Sequence, residues 1–213
     1  MPTSHMYQIA DIMELILFTQ PQSILDVGTG FGKYGFLSRE YLELWDGKQQ
    51  YCDWKIRIDG IEGYENYVTA VHQFIYNNVY IGNAINILPN LAVKYDLILV
   101  IDVLEHFEYN QGRILLKECA QIGKNMIVAT PRNIGIQKDI FDNALEMHKS
   151  QWTEKDLQFL SNLCFIPNKL SLICYIGERS SQLRRSRINR RVGKYFPFLI
   201  PIAKCLKSYR GKI

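Results

Sequence analysis

The stretch "ILDVGTGFGKYGFL", Ile24 to Leu37, combines one carboxylate with closely spaced glycines. Glycine lets the backbone come close to a ligand, and a glycine-rich turn from strand to helix aims amides at it. Gly30-x-Gly32-x-x-Gly35 matches the loop that holds a dinucleotide pyrophosphate. Asp26-x-Gly28-x-Gly30-x-Gly32 matches an acid-led loop with a different ligand. Asp26 separates the two readings. Its carboxylate sits where a pyrophosphate would approach, and like charges repel, so it suits a ligand with a cationic group. A magnesium-phosphate loop is excluded: Val27 stands five before Gly32, where a glycine is required, and Tyr34 replaces the Ser/Thr that would hold the metal.

Other reactive side chains fall at the ends of apolar runs. Glu62 closes "RIDGIEG", and the two oxygens of a carboxylate are well suited to adjacent sugar hydroxyls. Asp102, Glu105 and His106 follow the apolar run "YDLILVIDV". His148 lies in "EMHKSQW". An imidazole is the side chain best placed to take a proton near neutral pH, so His106 and His148 are the candidate bases. For each, a structural role beside a loop or helix competes. The histidines with Asp102 or Glu105 do not have a recognised metal-ligand spacing, so no metal is expected.

The elements that must position these residues follow from periodicity. "YQIADIMELILFT" has apolar residues at helical spacing and is closed by Gln20-Pro21. "SILDVG", "KIRIDGIEG", "VYIGNA", "YDLILVIDV" and "NMIVATP" read as strands. Helices are expected over "KYGFLSREYLELW", with Phe36, Leu37, Tyr41 and Leu44 inward, over "ENYVTAVHQFIYNN", and over "QGRILLKECAQIG". The near-continuous run in "YDLILVIDV" marks a strand buried on both faces. Alternation of strand and helix predicts a parallel sheet covered on both sides. In such a sheet, ligands bind beyond the carboxyl ends of the strands, where the candidate residues cluster. Residues 132–151 show no period and read as a lid-like loop. Thr153-x-x-Asp156 then resembles a capping box opening a helix, and "FIPNKLSLICYIG" supplies one or two closing strands.

With these residues in order, the chain resembles the class I S-adenosylmethionine-dependent methyltransferases, in their small-molecule, type-11-like branch. The resemblance runs over roughly residues 20–178. It implies a Rossmann-like, doubly wound, mostly parallel seven-stranded sheet with helices on both faces and one strand reversed. It implies that Asp26 and the backbone around Gly28, Gly30 and Gly32 hold the methionine end of S-adenosylmethionine. Glu62 would bond both ribose hydroxyls, and Asn83 with Ala84 in "IGNAINIL" would cap the adenine. Asp102 sits in the fourth-strand motif, and His148 in a stretch similar to the H-x-S-x-W of small-molecule members. Asp59 competes with Glu62 but falls within a strand. The insert around Trp45–Trp54 accounts for the long span from Gly32 to Glu62. No N/D-P-P-Y/F motif follows the fourth strand, which favours a small-molecule acceptor, a sugar or lipid-linked glycan among them. Phe141, Trp152 and Tyr109 are candidate pocket residues. The competing functions are an RNA methyltransferase, a non-catalytic S-adenosylmethionine-binding module and an NAD(P)-linked oxidoreductase.

Composition bounds the rest. The 213 residues, 47% hydrophobic and 22% charged, suit one globular domain with an appendage. No apolar run approaches the roughly 20 residues needed to cross a bilayer, and no signal peptide is legible. Five scattered cysteines without C-x-x-C spacing argue against a disulfide framework and for a cytoplasmic location, with Cys119, Cys164 and Cys174 expected as buried small hydrophobes. Charge divides the chain: all 21 acidic residues lie in residues 1–178, whereas residues 179–213 hold 11 of the 25 Lys and Arg. A domain over 1–178 and a basic tail over 179–213 are therefore expected. The 184–213 segment, with "YFPFLIPIA" between its cations, suits an anionic membrane surface or docking on the body, with RNA as the rival partner.

Overall fold

The computed structural model describes residues 4–47, 50–138 and 142–186. Seven strands form one sheet: β1 (Ser23–Val27), β2 (Arg57–Glu62), β3 (Asn78–Ile81), β4 (Leu97–Ile101), β5 (Asn125–Pro131), β6 (Leu163–Ile166) and β7 (Ser171–Gly177). Their order is β3-β2-β1-β4-β5-β7-β6, with β7 antiparallel to both of its neighbours. The expected single reversed strand is therefore β7. Helices α1 (Met6–Thr19), α2 (Lys33–Arg39), α3 (Ala70–Ile75), α4 (Ala84–Ile87) and α5 (Tyr109–Ile122) complete the domain.

The sheet separates two apolar cores. Ile12, Leu15 and Ile16 of α1 pack with Leu97 and Leu99 of β4, while Leu115 and Leu116 of α5 share the other core with Ile98 and Val100. Successive residues of β4 thus serve opposite faces, which is why that strand reads as one unbroken apolar run. The helix α1 ends as its sequence predicts. Gln20 adopts φ 48° and returns its amide to Ile16, and Pro21 follows.

Three local expectations change. Phe36 is exposed, and α2 instead buries Tyr34, Ser38 and Arg39 before widening into a π-helical turn over Glu40–Leu44. The helix expected over "ENYVTAVHQFIYNN" shrinks to α3, because Thr69 and His72 form a capping box that starts it late. Residues 154–160 form successive turns, not a helix. There the Asp156 carboxylate accepts from both the amide and the hydroxyl of Thr153, at 2.8 Å and 2.6 Å, which closes a local turn where a helix start was expected.

Arg39 explains the widened turn. It is 2% exposed and pairs with Glu43 at 2.6 Å. Its guanidinium also donates to Ile75 O, Ile56 O and Asn77 Oδ1, and lies 4.9 Å from the Trp54 ring centre. Glu43 accepts from the amides of Lys55 and Ile56. One buried ion pair therefore anchors the end of the 45–54 insert to β2 and to the approach to β3.

Residues 180–186 are helical and pack back on the body. Leu183 is buried with the α1 core, Arg179 stacks on Phe18, and Arg184 donates to Leu163 O. Cys205 and the "YFPFLIPIA" patch, with the membrane and RNA readings they carried, lie outside the described residues. Cys119, Cys164 and Cys174 are buried and Cys52 is exposed, all as free thiols. Among the described residues no helix is long and apolar enough to cross a membrane.

Arg39→Met leaves the Glu43 carboxylate buried without its cation, and a loss of about 3–5 kcal/mol is expected in urea unfolding. Adding Glu43→Leu should restore part of that loss. If Arg39→Met alone costs under about 1 kcal/mol, the pair does not anchor the insert.

Candidate functional site

The order of the sheet reverses at β1, which has β2 on one side and β4 on the other, so a crevice forms at their carboxyl ends. The glycine loop sits there. Gly28, Gly30 and Gly32 have φ of 74°, 54° and 82°. The amides of Gly28 and Thr29 bond Ile61 O, which ties the loop to the end of β2. At Gly28 a Cβ would also stand 2.5 Å from a Val103 methyl, so no other residue fits without a shift.

Asp26 lies beneath this loop, 2% exposed, and accepts a 2.6 Å hydrogen bond from the Tyr76 hydroxyl. Burial pushes its carboxyl up to about 7; the Tyr76 bond opposes the shift and the Glu62 charge adds to it. Gly35, which completed the dinucleotide pattern, has another purpose: a Cβ there would lie 2.4 Å from the Tyr76 ring. Its space belongs to that tyrosine.

Glu62 ends β2 facing the loop. Its Oε2 accepts from the Gly30 amide at 2.8 Å and the Thr29 hydroxyl at 3.2 Å, and Oε1 accepts from the Tyr64 amide. Burial raises its carboxyl above the ordinary value, against these three bonds. Asp59 is fully buried within β2, bound by Arg57, Asn78 and Tyr95, and so is spoken for. Asn83 is exposed after Gly82 and caps α4, its Oδ1 accepting from the Ile85 amide; Ala84 beside it is buried.

Asp102 follows β4 in the left-handed region, φ 53°, a strained position for a non-glycine residue. It accepts from Gln8 Nε2 at 2.6 Å, and burial raises its carboxyl. Gln8 is 1% exposed, and its Oε1 is buried with no hydrogen-bond partner among the described residues. The start of α1 thereby covers the crevice from one side.

The lid-like loop covers the other side. Residues Ala144–Glu146 form a short 3₁₀ turn, and Leu145 reaches Gly63 beyond β2. This loop brings His148 to His106, with ring centres 5.3 Å apart. One ligand atom each from Glu105, His106 and His148 lie within 4.8 Å of one another, a grouping that residue spacing along the chain had argued against. Burial drives the His106 imidazole down to about 4, so it is neutral near pH 7.

Of the proposed pocket aromatics, Trp152 is 1% exposed inside the core, and Tyr109, exposed, stacks on it at 4.8 Å. Phe141 lies outside the described residues. Sequence reasoning missed Tyr76, Gln8 and His72. His72 accepts from the Thr69 amide at Nδ1, which places its proton on Nε2, 3.0 Å from Gly30 O. The glycines at 35 and 60 mark a space but do not name its occupant, and nothing near Gln8 signals its reach across 94 residues.

No family description and no curated protein matches the chain. Solved structures do. It is similar to the N-terminal domain of EvdMO1 crystallised with SAH (S-adenosylhomocysteine) and D-fucose, at 15% identity and a TM-score of 0.57 over 83% of this chain and 85% of that one. A SAM-dependent methyltransferase from Archaeoglobus fulgidus matches at 14% and 0.56, over 79% and 92%. Magnesium protoporphyrin IX methyltransferase from Synechocystis PCC 6803 with bound SAH matches at 11% and 0.53, over 80% and 82%. At these identities the likeness establishes the fold alone, the Rossmann-like fold that these methyltransferases share.

The raised Asp26 carboxyl has a signed consequence. Its folded value, about 7, exceeds the unfolded 3.8, so its contribution to stability is full below about 3.8 and is lost as pH rises through 7. Asp26→Asn removes the buried charge and keeps an acceptor for Tyr76. Thermal melts should show the variant gaining on the parent between about pH 4 and 7, by up to about 1.4 kcal/mol per pH unit crossed, and levelling off above. An equal gain at both ends of that range would mean that ionisation of Asp26 is not the cause.

Proposed function

We propose that this protein transfers a methyl group from S-adenosylmethionine to a hydroxyl of a small molecule, a sugar or a lipid-linked glycan. The observation that carries the reading is the buried carboxylate of Asp26 beneath a three-glycine turn at the switch point, with the carboxylate of Glu62 at the end of the next strand. A negative pair in this position suits a ligand with a cationic end and a ribose.

The donor set fits that ligand. Asp26 offers charge to an ammonium, and the buried Oε1 of Gln8 needs a donor that the described residues do not supply. Glu62 bonds the glycine loop through Oε2 and the Tyr64 amide through Oε1, and would exchange part of that bonding for ribose hydroxyls. Asn83 and Ala84 stand at the end of β3, where they would flank the adenine. The cofactor, when bound, supplies a methyl group on a sulfonium leaving group, so the protein's task is to hold a nucleophile in line. His106 and His148 would stand on the acceptor side of the crevice, close enough to each other to act together. The SAH and D-fucose in the EvdMO1 domain support a sugar as acceptor.

Titration calorimetry with SAH tests the cofactor half. Binding is expected, and Glu62→Gln should weaken it roughly tenfold or more, the loss of hydrogen bonds to a charged group. NAD(P) should give no heat. Incubation with labelled S-adenosylmethionine and fractionated cell extract tests the acceptor half: label should enter a small-molecule or glycolipid fraction. Label released by nuclease would replace this reading with RNA methylation, and SAH binding without label transfer to any fraction would replace it with a binding module.

A further inference from the structure

We propose that Glu105, His106 and His148 form a divalent-metal site on the acceptor side of the crevice, with Zn²⁺ as the ion its donors suit. The three side chains each bring one ligand atom within 4.8 Å of the others. Ligand atoms around a tetrahedral Zn²⁺ stand roughly 3.4 Å apart, given bonds of about 2.1 Å, so small ring rotations close the set.

The hydrogen bonds around the cluster already have the form that metal binding requires. The Nδ1 of His106 lies 3.3 Å from Met147 O, and the Nδ1 of His148 lies 2.8 Å from Gly135 O. A carbonyl only accepts, so each Nδ1 carries a proton, and each Nε2 is the ring atom available to a metal. Metal-binding histidines are held this way, by the outer nitrogen donating to a carbonyl. Both carbonyls come from the 132–151 loop, so the same loop that delivers His148 also sets the tautomer of His106.

Glu105 supplies the charge. It is 1% exposed, and its Oε2 accepts from the Thr130 hydroxyl at 2.9 Å. Among the described residues no lysine or arginine pairs with it. A buried carboxyl is costly to ionise without a cation, and a metal ion is a partner that it would share with the two imidazoles beside it. Two nitrogens and one oxygen suit Zn²⁺ and related borderline ions better than Mg²⁺ or Ca²⁺. Three protein ligands leave a position open.

The use of that position rests on the methyl-transfer reading; the metal site does not. An acceptor hydroxyl bound to the ion would have its pKa lowered and would release its proton to water, leaving an oxygen nucleophile. His106 and His148 would then act as ligands, not as free bases.

Calorimetry of the full chain, stripped with chelator and titrated with ZnCl₂, should show one ion per chain. His148→Gln and His106→Gln should each weaken it at least about tenfold, the lower bound seen when even outer partners of a metal are removed. Unchanged circular dichroism would show that the variants fold. Co²⁺ added to the unaltered protein checks ligation without a substitution: visible bands of a nitrogen-ligated ion should appear and be abolished by Zn²⁺. The absence of one-to-one Zn²⁺ binding, affinity indifferent to both histidines, or a Co²⁺ spectrum like that of the free ion would each overturn the proposal. SAH titrated in the same buffer separates the two readings: SAH bound without Zn²⁺ removes the metal site alone, and Zn²⁺ bound without SAH removes methyl transfer alone.

Discussion

The hydrogen bond from Tyr76 to Asp26 is the contact on which the crevice depends. A carboxylate with 2% exposure is tolerable only if something donates to it, and Tyr76 does so at 2.6 Å. To reach that point the tyrosine ring must cross α2 and β2 closely. Gly35 and Gly60 permit it: a Cβ at either would stand 2.4 Å and 3.2 Å from the ring, and Gly32 borders it at 3.5 Å. One aromatic side chain thus accounts for Gly35, which looks, in the bare sequence, like part of a nucleotide loop.

A second constraint is charge. Asp26, Glu62, Asp102, Glu105 and Glu146 gather where the strands end, and burial raises the carboxyl of every one. Desolvation of this kind is unfavourable for the empty protein and favourable once cations enter. The sulfonium and ammonium of the proposed cofactor and the proposed metal ion are complementary to the same field. The left-handed backbone at Asp102 belongs to this region too, strain held in place by Gln8 and by the Asp102 amide bonding Ala129 O.

Much of the fold was legible because its signals are local or periodic. The unbroken apolar run of β4 announced a strand with helices on both sides, and Gln20-Pro21 announced the end of α1. The failures came where a side-chain contact overrode the periodic pattern. Arg39 turned inward to meet Glu43 and three backbone or amide oxygens, and Phe36 went to solvent as a result. The Asp156 carboxylate took both the amide and the hydroxyl of Thr153, closing a turn where a helix was expected.

The order of strands and helices, the acid-led glycine turn and the acids at successive strand ends are each written in neighbouring residues. Which of those groups are partnered follows from the folded packing. Tyr76 is 50 residues from Asp26, Gln8 is 94 from Asp102, and the Nδ1 of His106 meets Met147 O from 41 residues away. No local pattern carries such pairings, because packing between elements, not spacing along the chain, sets which side chains share a buried volume. For the same reason the grouping of Glu105, His106 and His148 exists only once the loop after β5 folds back over β4.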